Sequence, residues 1–464
     1  MESLTRRISD MRITRAFGKV VAVKGLGIEI GGPTSKLAIG AQLQVLHGRG
    51  SGRGQGRERS ETLVCEVIGF RDGRAVCMAF GSLSGVRPGD RAEFLEYNPV
   101  LYPSSKWIGR VVDGMGNPLD GKGPLPTGPI AQPFSAAPPP AHERRLVGNQ
   151  MDLGLRSFNT FLPCCEGQRM GIFAGSGVGK SMLMSMLARN AKADIAVIGL
   201  IGERGREVQD FLVKTLGAEG LKKSIVVVAT SDAPALMRRQ AAYATMALSE
   251  YFSQQGKQVL CLMDNLTRFA QAQREIGLSV GEPPTAKGYP PSVFSELPQL
   301  LERAGPGRGK EGNITGLFAV LVEGDNTNEP ISDAVRGILD GHVILSRDIA
   351  ERGRYPAIDA LASVSRTFTD ALSKEQQALI AQARVLMSRY RDMEELIRLG
   401  AYRKGSDPIT DEAVKIVPRI ETFLSQNRDD VSSIEESFAL LGAILAEATV
   451  TGDQIANANN PVAK

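Results

Sequence analysis

Eight residues, Ala174-Gly175-Ser176-Gly177-Val178-Gly179-Lys180-Ser181, constrain the fold of this chain more than any other stretch. A short apolar run, Met170 to Phe173, precedes them, and a stretch of helix formers, Met182 to Arg189, follows. Strand, glycine-rich turn and helix form the setting in which a loop wraps around a phosphate. Glycines let the backbone approach the anion, the N–H groups converge on it, and the first helical turn adds positive potential. Gly175, Ser176, Gly177, Val178, Gly179, Lys180 and Ser181 are therefore the predicted phosphate-binding residues. Lys180 would reach the β- and γ-phosphates, and the Ser181 hydroxyl would ligate Mg²⁺. The pattern departs once from its usual form, because Ala174 stands where the first glycine belongs. An ordinary Gly-rich turn is the competing reading, and the rest of the chain has to decide between them.

A chain of 464 residues is too long for one compact core and implies two or three domains. The net charge of +4 is too small to imply nucleic acid by itself. No stretch of eighteen apolar residues is present, and the N-terminus MESLTRRISDMRITR lacks an apolar signal core, so neither a membrane span nor a secretory signal is expected. Cys65, Cys77, Cys164, Cys165 and Cys261 are odd in number and sparse, which favours reduced, buried thiols over a disulfide framework. His47, His142 and His342 lie far apart and offer no metal cluster.

Residues 1 to about 95 read as β-structure, with Val20–Val23, Leu63–Ile68, Ala75–Ala79 and Arg91–Phe94 as short strands. Turns at Gly31-Gly32-Pro33, Arg71-Asp72-Gly73 and Arg87-Pro88-Gly89 separate them, a spacing that predicts a small barrel or sandwich. The Gly/Arg-rich tract from His47 to Glu61 reads as a solvated hairpin loop, with contact to RNA or an acidic surface as the alternative. Gly109 to Asp113 and the Pro-rich run Pro133 to Pro140 read as a connector. From about Asp152 to Ser346, the apolar segments Ile195–Leu200, Ile225–Ala229, Val259–Met263, Leu317–Val322 and His342–Leu345 alternate with helical ones. That alternation predicts an α/β fold, a parallel sheet flanked by helices. Asp370 to Ala448 lacks strand-like runs and predicts a helical bundle.

Three stretches support the phosphate loop. Val259 to Asp264 is an apolar strand ending in an acid, and in a parallel sheet that end faces the ligand crevice. Asp264 there would hold Mg²⁺ through water. Gly202-Glu203-Arg204-Gly205-Arg206-Glu207 also follows a strand; its carboxylate would polarise an attacking water, and Arg204 would meet charge developing on the γ-phosphate. In the third, Tyr355 to Arg366, Tyr355 would stack on a base and Arg366 would act as an arginine finger.

The stretches GERGRE, MDNLTRFAQAQREI, GEPPTAKGYPPSVFSELPQLLERAG, LDGHVILSR and YPAIDALASVSR resemble the catalytic-subunit family of rotary ATPases and its protein-export relatives. The run from Gly281 to Gly305 and GAYRKGSDP (Gly400 to Pro408) are most similar to the flagellar type III export branch. The likeness spans about Arg15 to Leu441. It implies a β-barrel over residues 1–95, a RecA-like ATPase domain over 96–369 and a helical domain over 370–464, arranged as a homohexameric ring. Carried onto this chain, ATP and Mg²⁺ are bound by Lys180 and Ser181, with Asp264 on the metal side. Glu203 becomes the catalytic glutamate, Arg204 a γ-phosphate sensor, Tyr355 part of the adenine pocket, and Arg366 a finger lent to the neighbouring subunit. The family tends to carry two adjacent acids in the loop after Val322, and here the second position is Asn326; no role is assigned to it.

One chain with both the glutamate for its own pocket and a finger for another favours a ring of identical active subunits. The resemblance further implies a stator-like regulatory protein on the N-terminal segment, a central stalk, the membrane export gate, and export substrates with their chaperones. It places the protein in the cytoplasm, at the inner-membrane export apparatus, and no nucleic acid is expected. The rival readings are the ATPase of a virulence-type secretion system, a rotary ATP synthase subunit, an RNA-translocating ring ATPase and a non-catalytic nucleotide-binding scaffold.

Overall fold

In the computed structural model, which describes residues 17–48, 61–96, 98–322 and 329–448, the first six strands close into a barrel. These are β1 (Phe17–Lys24), β2 (Gly27–Gly31), β3 (Gln42–His47), β4 (Glu61–Arg71), β5 (Arg74–Ala79) and β6 (Arg91–Glu96), ordered β1-β2-β5-β4-β3-β6. Alternate residues such as Ile28, Ile30, Leu43, Val45, Cys65, Val67 and Cys77 point inward and fill it. The β4–β5 hairpin turns on Asp72 and Gly73, with φ of 50° and 73°, the paired left-handed geometry that a two-residue hairpin requires. Closure removes both sheet edges and decides for the barrel over the sandwich. The polar N-terminal segment, most of the Gly/Arg-rich tract and the loop containing Asn326 lie outside the described residues.

After a short ribbon of β7 (Val100–Leu101) and β9 (Gln132–Pro133), the central sheet runs β16-β15-β10-β14-β13-β11-β12-β8. Its members are β8 (Val111–Asp113), β10 (Arg169–Ala174), β11 (Ile195–Glu203), β12 (Ser224–Thr230), β13 (Val259–Asp264), β14 (Ile314–Leu321), β15 (Gly341–Leu345) and β16 (Val364–Ser365). Every pairing is parallel except that of the edge strand β16. The two faces separate with a period of two. Met170, Ile172, Ala196, Ile198, Leu260 and Leu262 enter one core, and Phe173, Ile195, Val197, Cys261 and Met263 enter the other. One expectation is corrected: Val111 to Asp113, read as part of a connector, is an edge strand paired with β12 from Val226 to Val228. Three residues among Gly/Pro turns carry too little periodicity to announce a strand.

The C-terminal region is helical: Lys374–Arg398, Pro408–Leu424 and Ile434–Leu445. Ser373 and Ser433 each form a reciprocal capping box, and Asp407 caps the helix that opens on Pro408. Their apolar faces, through Ile380, Leu386, Ile416, Ile420 and Leu441, share one continuous core with a face of the central sheet. The barrel docks through Ile68, Val76, Met78 and Phe80 on Leu236, Ala272 and Ile276 of the nucleotide domain's helices.

All five cysteines are free and buried. Burial pushes the thiols of Cys65 and Cys261 up to about 12, far above the thiolate range that reacts at neutral pH. An alkylating reagent at pH 8 should therefore leave the native protein unmodified and label all five after denaturation, as read by intact mass.

Candidate active site

Because the central strands are parallel, their carboxyl ends open on one crevice. Ala174 lies level with Leu321 and Leu345, and Leu200 with Asp264. The phosphate loop leaves β10, Glu203 ends β11, Asp264 ends β13, and Arg347 follows β15. The loop, Glu203 and Arg347 border a cleft of about 670 Å³ lined by Gly175, Ser176, Gly177, Gly179, Lys180 and Ser181 together with Glu203, Arg204 and Glu207, and the buried Asp264 reaches it through its ion pair with Lys180. Three sequence-predicted features, the phosphate loop, Glu203 and Asp264, thus meet around Lys180.

The loop has the backbone that an anion cradle needs. Gly177 and Gly179 take φ of 80° and 92°, a region that other residues enter only under strain. A methyl group on Gly179 would also lie 3.2 Å from the Tyr355 ring. Helix Lys180–Asn190 starts at the loop's last residues, so its unpaired N–H groups face the cleft. Arg347, inside the LDGHVILSR stretch but given no role there, donates to the Ser176 carbonyl at 3.2 Å and braces the loop.

Lys180 is buried and gripped by two carboxylates, Glu203 at 3.1 Å and Asp264 in a closer ion pair. Burial disfavours its charge, but the charges of Asp264 and Glu203 outweigh this and hold its pKa above the ordinary lysine value. Burial likewise pushes Glu203 up, yet the Lys180 charge and hydrogen bonds with Glu207, Lys180 and Asn265 hold it below the usual carboxylate range. Asp264 is more deeply enclosed, 4 % exposed, and burial keeps it above that range despite Lys180. The hydrogen bond with Glu203 raises Glu207. One ammonium serves several carboxylates, so Glu203 is held low while Asp264 and Glu207 are pushed up.

Asn265 fastens Glu203. Its amide oxygen accepts from the Arg268 N–H at 2.9 Å, capping helix Leu266–Val280, and its amide nitrogen donates to Glu203 at 2.8 Å. Sequence reasoning passed over this residue, although an Asn after a strand-ending acid and before a helix is a legible cap. Glu207 was quoted within GERGRE without a role and lines the cleft beside Glu203.

The remaining predicted residues sit differently. The Ser181 side chain is exposed in the first helical turn and lines the cleft. Arg204 lines the rim with its side chain 81 % exposed and only a loose 3.9 Å contact to Glu207. Tyr355 lies against the loop at Gly179 rather than on the cleft wall, and the residue is 43 % exposed. Arg366 is not brought to this cleft at all; it follows edge strand β16 and is exposed.

Comparison with known proteins accounts for this arrangement. Residues 154–365 match the nucleotide-binding domain of the ATP synthase alpha/beta family, and residues 53–96 match that family's beta-barrel domain. Residues 372–443 match the C-terminal domain of the type III secretion ATPase EscN. The chain is 52 % identical to a flagellum-specific ATP synthase of Caulobacter vibrioides over 96 % of its own length and 99 % of that relative. It is 44 % identical to a type 3 secretion system ATPase of Xanthomonas euvesicatoria, covering 96 % and 98 % respectively. The assembled EscN ATPase of enteropathogenic E. coli superposes with a TM-score of 0.84 at 39 % identity, over 92 % of this chain and all (100 %) of that one. EscN in complex with its central stalk EscO superposes at 0.82 and 38 % identity, again over 92 % of this chain and 100 % of that one. Barrel, parallel-sheet nucleotide core and helical C-terminus agree with these relatives along nearly the whole length, and this chain belongs to the ATP synthase alpha/beta family, as an ATPase of its flagellar and type III secretion branch.

Proposed function

We propose that this ATPase energises type III protein export during flagellum assembly, working as a homohexameric ring whose sites are completed across subunit boundaries. One observation carries the catalytic half of this reading: beside the phosphate loop, Lys180 and Glu203 line one cleft, and Lys180 is ion-paired with both Glu203 and the buried Asp264. The flagellar assignment follows the 52 % identity to the Caulobacter protein, and the secretion ATPase of Xanthomonas, at 44 %, keeps a virulence-type apparatus as the second reading.

The site residues take these roles. Backbone N–H groups from Gly175 to Ser181 cradle the phosphates, and Lys180 turns from Glu203 and Asp264 towards the γ-phosphate when ATP enters. The Ser181 hydroxyl and the Asp264 carboxylate are hard oxygen donors that suit Mg²⁺, which when bound neutralises phosphate charge. Glu203, held ionised and aimed by Asn265, orients the attacking water. Arg204, free to swing at the rim, senses the γ-phosphate. Tyr355 stacks on adenine next to the loop. Arg366 faces outward because it serves the neighbouring subunit's site.

The partners follow the same reading. A central stalk binds the ring, in keeping with the complex of assembled EscN with its central stalk EscO. A stator-like regulator binds the N-terminal segment, and the C-terminal helices meet the export gate, substrates and chaperones. No described helix is long and apolar enough to cross a membrane, so attachment at the inner-membrane export apparatus would be peripheral.

Glu203→Gln tests the core of this reading. The amide keeps the shape and loses the basic carboxylate, so ATP should bind with near-normal affinity while kcat falls by about 10²-fold or more. Equal losses in binding and turnover would make Glu203 a structural partner of Lys180.

A further inference from the structure

We propose that Gln168 is the positioning residue of the Arg366 finger, and thereby sets the turnover rate of the neighbouring subunit's site. The inference rests on Arg366 acting across the subunit boundary. Gln168 immediately precedes β10 and is fully buried, 0 % exposed. Its amide fills four hydrogen-bonding positions. Oε1 accepts from the Cys165 N–H at 2.8 Å and from the Thr367 hydroxyl at 2.9 Å. Nε2 donates to the Ser365 hydroxyl at 3.0 Å and to the Asp340 carbonyl at 3.3 Å. A backbone N–H can only donate, so the Cys165 contact assigns the oxygen end of the amide.

Ser365 and Thr367 are the two residues that flank Arg366. Both are buried while Arg366 is exposed, the in-out-in alternation of extended backbone. One glutamine therefore grips the chain immediately before and immediately after the finger. The Arg366 N–H donates to the Asp340 carbonyl at 3.0 Å, the same oxygen that Gln168 reaches. That carbonyl is held in turn, since Arg169 clamps the Asp340 carboxylate at 3.1 and 3.2 Å.

The clamp matters because the ladder alone holds this edge weakly. β16 is two residues long and pairs only with β15, at Gly341↔Ser365 and His342↔Val364. A long guanidinium projecting from such an edge inherits any looseness of its backbone, and a misplacement of ~1 Å costs on the order of 10²-fold in rate. β10 also carries the phosphate loop at its far end, about 20 Å away for six residues at ~3.3 Å each. A single strand thus joins the lender's own nucleotide to the finger it lends.

The test uses the full-length ring. Gln168→Met keeps the length and removes every hydrogen bond of the amide. It should lower kcat by roughly 10- to 100-fold while leaving ATP affinity within about twofold, a split that mere loss of stability would not produce. Thr367→Val, which removes one of the four bonds, should move kcat the same way by less, and serves if the first variant does not fold. The decisive arm mixes subunits and reads single turnover with sites in excess over ATP, so that the ring need not fire in order. Co-assembled with Glu203→Gln subunits, which lend well-placed fingers, the Gln168→Met pockets should recover as far as Arg366→Ala pockets do. Rescue of the Arg366→Ala protein without rescue of Gln168→Met would overturn the role of Gln168 and leave the shared site standing. Rescue of neither would overturn the shared site itself.

Discussion

Lys180→Ala is expected to reduce ATP hydrolysis by at least about 10³-fold, because the charge that meets the transferred phosphoryl group is lost from a pre-built cradle. The structure adds a second consequence. The lysine is the shared counter-ion of two carboxylates, and its removal leaves Asp264 enclosed without compensation. Burial already raises Asp264 in the presence of Lys180, so the variant raises it further. A carboxyl whose folded pKa exceeds its unfolded value favours the fold at low pH and disfavours it as pH rises through the folded value. The melting temperature of Lys180→Ala should therefore fall further behind that of the parent as pH rises above the ordinary carboxylate range. Thermal melts from that range upward check the sign. Full turnover would reduce the loop to a turn, and a gap that does not widen with pH would remove the shared counter-ion.

Arg366→Ala should abolish steady-state turnover, a loss of roughly 10³–10⁵, while each pocket still binds ATP, since a finger acts mainly on transition-state charge. The geometry behind this expectation is negative in form: the side chain is exposed and absent from its own cleft, which makes it useless in cis and available in trans. Two results should follow. Activity per subunit should rise with protein concentration as subunits associate. Mixing two inactive proteins, Glu203→Gln and Arg366→Ala, should restore single-turnover hydrolysis wherever the first lends its finger to the intact pocket of the second. An Arg366→Ala protein that turns over at full rate, with no dependence on concentration, would show that each subunit is complete alone.

These expectations draw on different depths of information. The phosphate loop was legible because its requirements are local: glycines at φ values closed to other residues, a lysine and a serine, between an apolar run and a helix. The central strands were legible because short, fully apolar segments such as Val259–Met263 alternate with helical ones, as a sheet covered on both faces requires. Even the crevice followed from Asp264 and Glu203 ending their strands, once β10 to β15 run parallel.

What the chain's letters did not reveal depends on contacts between distant segments. Val111–Asp113 becomes a strand only because β12 offers it an open edge. Asn265 becomes the holder of Glu203 only because β11 and β13 are neighbours in register. The C-terminal helices were readable as helices from their helix formers and lack of strand-like runs, yet that they complete one core with the sheet is a matter of packing. Gln168 and the segment around Arg366 lie almost 200 residues apart, with |i−j| of 197 and 199 for the bonds to Ser365 and Thr367. Backbone conformation, capping and side-chain alternation are short-range properties, and the amino-acid sequence by itself determines them. Strand order, and with it the choice of which buried amide meets which turn, is settled only when faces from remote segments are buried together, and there the tertiary structure decides.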